Sequence, residues 1–333
     1  MNTPQAAFDA RALAIEPAAE AERICAALRH QVVQQLRRRG AVLGLSGGVD
    51  SSVVAALCAR AFGPANVLGV LMPEQDSDPD SVRLGRLIAS WLGIDVALED
   101  ITPILVGLGC YRRRDEFMRR LFPEYGAGWR SKIVLRRVGA GYNVFHLVVR
   151  GPHGEQKEAR MPPEVYLGVV ATTNMKQRTR KQLEYYHADR LQYAVIGTPN
   201  RLEYDQGFFV KNGDGAADAK PIAHLYKSQV YQLAAYLGVP KEIRERPPTT
   251  DTYSLSQTQE EFFFGIPLHT LDVCMYGLDH GIAAESVAAA VGLSATQVRE
   301  VYRDITGRRR TTRYQHEPPL LVDASSALEK APA

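Results

Sequence analysis

Leu43–Leu57 reads LGLSGGVDSSVVAAL, and no other stretch constrains the fold of this chain as strongly. The apolar run AVLGL has the length and composition of a buried strand, and Val49–Ala61 has the pattern of a helix. Between them stand Gly47 and Gly48, flanked by Ser46, Asp50, Ser51 and Ser52. A helix N-terminus carries unpaired N–H groups and a partial positive charge, so it attracts anions. Paired glycines let the backbone approach a phosphate with no Cβ in the way. The serines add hydroxyl donors. Asp50 would repel phosphates unless a cation lay between them, so it implies Mg²⁺. The string is neither GxxxxGK[ST] nor GxGxxG, which argues against a Walker-type NTPase and against a hydride-transfer dinucleotide fold.

The same alternation continues along the chain. A helix is predicted over Ala19–Arg39, with Ile24, Leu28, Val32 and Leu36 on one face and Gly40 as its stop. Asn66–Pro73 reads as a strand, Ser81–Leu92 as a helix closed by Gly93, and Ile94–Ile101 as a third strand. Strand and helix in turn predict an α/β fold, a doubly wound parallel sheet with helices on both faces. The pattern breaks over residues 110–165. There a basic stretch precedes SKIVLRRV and YNVFHLVVRGP, two segments joined by GAG, which predicts an inserted β-hairpin. Helix returns over Glu164–Arg190, strand over Tyr193–Thr198 and helix over Leu225–Leu237. RPPTTDTYSLSQTQ is a loop, and short helices are predicted from His269 onward. The expected organisation is a loose arm (1–18), a core in two parts (19–109 and 166–268), the insertion between them, and C-terminal helices with a tail (269–333).

Composition excludes several classes. At 45% hydrophobic and 23% charged the chain is ordinary for a globular protein, and a net charge of +3 gives no electrostatic case for a nucleic-acid partner. Cys25, Cys58, Cys110 and Cys274 form no CxxC, and three sit in apolar runs, so neither a disulfide framework nor a zinc cluster is expected. No signal peptide and no membrane-length apolar run is visible, so a cytoplasmic protein without a membrane partner is expected.

A second polar loop follows a buried strand: IGTPNRLEYDQGFFVKNGDGAADAKPIAHLYKSQV, Ile196–Val230. It offers Glu203, Asp205, Asp214 and Asp218 as carboxylates, with Lys211 and Lys227 as mobile point charges suited to polyphosphate. Ligands of open α/β sheets bind at the carboxyl ends of the strands, where this loop and the first would meet. Carboxylates from the two loops could share one Mg²⁺.

The first loop resembles the pyrophosphate loop of the N-type ATP pyrophosphatase superfamily, whose members adenylate a substrate oxygen and release pyrophosphate. The second resembles the signature of the NAD synthetase family, GT.N..E...G.F.K.GDGA.D..P...LYK.QV. Together with LGVP, RPP and the C-terminal helices, the resemblance covers most of the chain outside the arm and residues 110–165. It implies an adenine nucleotide alpha hydrolase-like fold. It also implies a homodimeric enzyme that makes NAD⁺ from deamido-NAD⁺, ATP and ammonia through an acyl-adenylate. Carried over by position, it puts Ser46, Gly47, Gly48, Asp50, Ser51 and Ser52 on ATP, with Asp50 and Glu203 as Mg²⁺ ligands. Thr198, Lys227 and Thr249 become further ATP contacts. Lys211 and Asp214 join Asn174 and Arg178 on the acceptor. Asp50, Lys211, Asp214 and Lys227 are the implied catalytic set.

Three features depart from the family pattern. Pro199 stands where glycine or aspartate is usual, QRTRK replaces ARLRM, and the insertion carries Arg112, Arg113, Arg114, Arg119, Arg120, Arg136 and Arg137. These arginines predict either a solvated decoration or an altered acceptor site or docking face for an ammonia donor. No glutaminase set is visible, so ammonia would come from solution or from a separate glutaminase. One rival reading is an amide synthetase acting on a different carboxylate. Another is a nucleic-acid regulator, because AAESVAAAVGLSATQVREVYRDI resembles a helix-turn-helix, although Glu300 and Asp304 on its second helix count against it.

Overall fold

A computed structural model describes residues 8–138, 142–249 and 252–322. The GAG turn at 139–141, the first seven residues of the arm, Thr250, Asp251 and the tail from residue 323 lie outside the described residues. Helix α1 (Pro17–Leu28) runs into a π-helical turn (Arg29–Gln35), so the helix expected over Ala19–Arg39 is two pieces. Then come β1 (Ala41–Gly44), α2 (Val49–Phe62), β2 (Val67–Leu71), α3 (Pro79–Leu92) and β3 (Asp95–Leu98). Helices α4 (Thr102–Gly107) and α5 (Cys110–Arg119) follow, the second of them over the basic stretch at the start of the insertion. Strands β4 (Arg130–Val138), β5 (Tyr142–Arg150) and β6 (Gln156–Arg160) precede the long α6 (Pro163–Leu191) and β7 (Ala194–Val195). The remainder is helical: α7 (Arg201–Asp205), α8 (Lys227–Tyr236), α9 (Lys241–Glu245), α10 (Leu268–Asp279), α11 (Ala284–Val291) and α12 (Ala295–His316).

The core sheet is parallel in the order β3-β2-β1-β7. Ala41 pairs with Val67 on one side and with Ala194 on the other, and a parallel bridge from Ile196 to Ala219 extends that side. β1 and β2 are buried along nearly their whole length, which explains their unbroken apolar runs. One face packs Val53 and Leu57 of α2, Ile24 and Leu28 of α1, and Leu233 of α8. The other face packs Ala188 and Leu191 of α6 against Val42, Val70 and Val195. The chain steps outward from β1 to β3 and then returns to the far side of β1. That reversal leaves a crevice between the carboxyl ends of β1 and β7, the place where such sheets bind ligands.

The insertion holds the expected pairing, β4 antiparallel to β5, and extends it with a third antiparallel strand, β6, in the order β4-β5-β6. Ile133, Leu147 and Val149 pack on Met118 of α5 and on Val165 and Val169 of α6. Five of the seven arginines singled out there are held locally. Arg112 pairs with Glu116, Arg120 with Glu164, Arg136 with Glu158, and Arg119 donates to the Tyr125 carbonyl. Arg114 is mostly buried and bridges Asp76 and Asp115. Asp76 also accepts from Lys176 on α6 at 2.8 Å, and that ammonium binds Glu74 at 2.8 Å as well. The side chain of Arg137 lies outside the described residues. Helices α10, α11 and α12 bury Val273, Val287, Val298 and Ile305 together, so α12 is a packed helix and longer than the short pieces expected. All four cysteines are buried and free. No helix among the described residues is long and apolar enough to cross a membrane.

Candidate active site

The crevice is built from two loops that follow β1 and β7. After β1, Gly47 takes φ +73°, and a Cβ there would stand 2.7 Å from Leu84 Cβ and 2.9 Å from the Ser81 carbonyl. Both the dihedral and the space demand glycine. Gly48 precedes α2 in extended conformation, and no side chain caps the helix. Its leading N–H groups are therefore left for a ligand. Ser51 Oγ and Ser52 Oγ donate to the Gly48 carbonyl at 3.1 and 2.8 Å. Ser46 Oγ accepts from the Gly48 N–H at 3.3 Å and lies 3.2 Å from Ser51 Oγ. Ser46 is exposed, whereas Ser52 is fully buried, so Ser52 shapes the turn from below.

After β7, Asn200 caps α7 through a capping box. Its Oδ1 accepts from the Glu203 N–H at 3.2 Å, and Glu203 Oε2 accepts from the Asn200 N–H at 3.1 Å. The N–H this turn uses is that of Asn200, so Pro199 beside it forfeits nothing the cap needs. Asn200 Nδ2 then donates to Asp50 Oδ1 at 3.1 Å, which ties the second loop to the first. Lys227 opens α8 and places its ammonium on Asp50 Oδ2. Asp272 of α10 holds that helix start, accepting from the Lys227 N–H at 3.2 Å and the Ser228 N–H at 2.7 Å. Gln259 Nε2 donates to Glu203 Oε1 at 2.8 Å.

Two carboxylates and one ammonium thus share a small buried volume. Burial, and then the neighbouring Asp50, push the Glu203 carboxyl up to about 7, although Lys227 and two hydrogen bonds pull the other way. Burial alone would lower the Lys227 ammonium, but Asp50 and Glu203 outweigh it and its pKa is raised. Such a site is short of positive charge and suits a further cation. Beside it opens a cavity of about 160 Å³ lined by Ser46, Met72, Arg180, Glu184, Thr198 and Asp214 among others. Asp214 accepts from the Val210 N–H at 2.8 Å, and burial raises its carboxyl. Glu184 is held by Lys181 at 2.6 Å, and Arg180 donates to the Met72 carbonyl at 3.3 Å.

The structure therefore gathers Ser46, Gly47, Gly48, Asp50, Ser51, Ser52, Glu203 and Lys227 around one network, and sets Thr198 and Asp214 in the adjoining cavity. Lys211 points elsewhere: its ammonium donates to the Tyr314 and Glu317 carbonyls, each at 2.8 Å. Arg178 donates to the Lys211 carbonyl at 3.2 Å, Asn174 is half-buried on α6, and Thr249 forms an isolated antiparallel bridge with Thr258. Asn200, Gln259 and Asp272 were missed by the sequence reading. The N-x-x-E pattern of a capping box was there to find Asn200. Nothing local marks Gln259 or Asp272, which arrive from distant segments.

Comparison with known proteins adds a second line. A family model described as NAD synthase matches residues 20–116 and 155–319. The NH₃-dependent NAD⁺ synthetase of Rhizobium meliloti (strain 1021) is 61% identical over 324 residues, 97% of each chain. The enzyme of that name from Methanocaldococcus jannaschii is 32% identical over 270 residues, 81% of this chain and 85% of its own. Among solved structures, the NH₃-dependent NAD synthetase of Campylobacter jejuni superposes with a TM-score of 0.62 at 21% identity, over 93% of this chain and 100% of that one.

Proposed function

Because the chain belongs to the NAD synthase family, we propose that it amidates deamido-NAD⁺ with ammonia to give NAD⁺, AMP and pyrophosphate. The observation that carries this reading is the meeting of the uncapped α2 N-terminus with Lys227, Asp50 and Glu203 beside the cavity at the carboxyl end of the sheet.

A carboxylate is a poor electrophile, so it must first be activated. Its oxygen attacks the α-phosphorus of ATP, and the bond to pyrophosphate breaks. Ammonia then attacks the acyl carbon, its nitrogen gives up a proton to solvent, and AMP departs with the former carboxylate oxygen that bridged carbon and phosphorus. The α2 N–H groups, Ser46 and Ser51 cradle the departing pyrophosphate, and Lys227 offsets the charge that builds on it. The backbone N–H donors are fixed before substrate arrives, which is what makes them effective, whereas Ser51 must turn its hydroxyl from the Gly48 carbonyl to join them. No group of three or more His, Cys, Asp or Glu among the described residues is placed to hold a metal ion, so a metal would rest on two carboxylates and on the nucleotide's own oxygens. Asp50 and Glu203 would hold Mg²⁺, and the excess of carboxylate over cation there fits it. When bound, the ion supplies charge neutralisation to the phosphates. Thr198 takes ATP in the adjoining cavity. Asp214 faces the acceptor carboxyl and orients the incoming ammonia. Asn174 and Arg178 contact the acceptor from α6, and Lys211 joins them on release from the carbonyls it now holds.

The test is a coupled assay with ATP, Mg²⁺, ammonium and deamido-NAD⁺ that reads NAD⁺ and AMP together. Stoichiometric NAD⁺ and AMP, both lost in Asp50→Ala, are expected. Pyrophosphate exchange supported by some other carboxylate, with no NAD⁺ formed, would keep the adenylation and move the acceptor.

A further inference from the structure

Residues 117–154 lie between the two stretches that the family model matches, and the reaction as derived gives them no task. They include β4 and β5. Because β5 pairs on both sides, β4 is left with an open edge. An open strand edge is a template for another segment. Here the chain from Thr252 to Glu261 lies along it. The Leu255 N–H donates to the Ser131 carbonyl at 3.1 Å, the Ser131 N–H donates to Ser254 Oγ at 2.9 Å, and the Gln257 amide reaches the Ile133 carbonyl. Side chains follow the backbone. Leu255 is buried with Val134 and Val148, and Tyr253 enters the apolar cluster under the sheet. Lys132 of β4 pairs with Glu261 at 2.6 Å. From α6, Lys176 donates to the Thr252 carbonyl at 3.1 Å. The same segment carries Gln259, whose amide holds Glu203 at 2.8 Å.

We propose that the inserted sheet is a scaffold for segment 252–261, and that its task is to deliver Gln259 to Glu203 before substrate binds. Gln259 is then a positioning residue, and the inference rests on the reading of Glu203 as part of the ATP site. A Pro/Thr/Ser-rich loop left alone would lose conformational entropy on ordering at every turnover. A template that orders it in advance removes that cost from the binding step. An insertion that served only as a surface decoration, or as a docking face for an ammonia donor, would have no reason to spend its free edge on this loop. The contacts are also of several kinds, backbone, apolar and ionic, and all fall on one short segment.

The experiment uses the full chain with Lys132→Glu and Glu261→Lys, singly and combined, together with Gln259→Leu. Amide hydrogen exchange of 252–262 is read beside kcat and KM for ATP. Each single reversal is expected to speed exchange in that segment while α2 and α8 keep theirs, and to lower kcat roughly threefold to tenfold. The double reversal is expected to restore both. Gln259→Leu should lower kcat with exchange unchanged. Wild-type exchange of the segment in both single reversals would overturn the scaffold. Wild-type kcat and KM in Gln259→Leu would overturn the delivery. Leu255→Asp, read the same way, gives a second break in the template should a charge reversal fail to fold. Because exchange is read without turnover, a chain inactive on deamido-NAD⁺ would count against the proposed reaction and leave the scaffold to be judged on its own.

Discussion

Lys227 and Asp50 form an ion pair between two largely buried side chains, and the proposed reaction turns on both. On the proposed reaction, replacing Lys227 by Met removes the cation assigned to the developing charge. ATP–pyrophosphate exchange should fall roughly 10²- to 10³-fold, the range for a lost charge-stabilising donor. Circular dichroism would separate this from unfolding, since breaking a buried pair costs about 3–5 kcal/mol. Glu203 predicts a pH dependence with a definite sign. Its carboxyl rises from the ordinary 4.5 to about 7 in the fold, so the folded protein favours the protonated form. Its contribution to stability is complete below about 4.5 and is lost as pH rises to about 7. Urea unfolding of the substrate-free protein should therefore give a lower midpoint at about pH 8 than at about pH 5 from this group. Glu203→Gln should flatten the difference. At this scale the sequence was informative where a residue's neighbours are its chain neighbours, as for Gly47, Gly48 and Ser51. It was silent where the partner comes from afar, as for Asp272 and Gln259, and as for the carbonyls at the end of α12 that accept from the Lys211 ammonium.

Helix α8 shows how one element sets the geometry of another. Its first N–H groups are satisfied by Asp272, a carboxylate that burial pushes up to about 6. Asp272→Ala should cost about 1–2 kcal/mol in thermal unfolding, as for a lost N-cap. It should also weaken pyrophosphate exchange, because the cap fixes the turn that aims Lys227. Asp272→Asn, which keeps an acceptor, should recover part of both. The elements read best from sequence were those with a continuous apolar signal: β1, β2, and α6 within a residue or two of its ends. β6 was missed because QKEAR is largely exposed and shows no apolar alternation. α5 was missed because arginines crowd it and only Cys110, Tyr111 and Met118 are buried. The break of α1 into a π turn has no counterpart in the apolar spacing, which continues through it.

The molecule as a whole combines an α/β core, an inserted sheet and a C-terminal helical cluster, and the helix-turn-helix likeness dissolves in the last of these. Gly292 does turn the chain between α11 and α12, with φ +68°. Yet Val298 and Ile305 face the cluster, and Arg309 is paired with Asp205 and Asp279. Arg308 donates to the Phe263 carbonyl, and Arg299 pairs with Glu285. With its cations matched in this way, the protein should pass unretained through immobilised random DNA at about 0.15 M salt. Retention that fades with added salt would reopen the nucleic-acid reading. The order β3-β2-β1-β7 bears on how the chain is made. Ala41 waits for Ala194, so β1 leaves the ribosome with one side open. At synthesis rates of about 5–20 residues per second the wait is on the order of ten seconds. Throughout that interval the nascent half-sheet offers an apolar edge to any passing strand. The glycine-serine loop after β1 is thus translated early and receives its second wall, the loop after β7, only once that interval has passed.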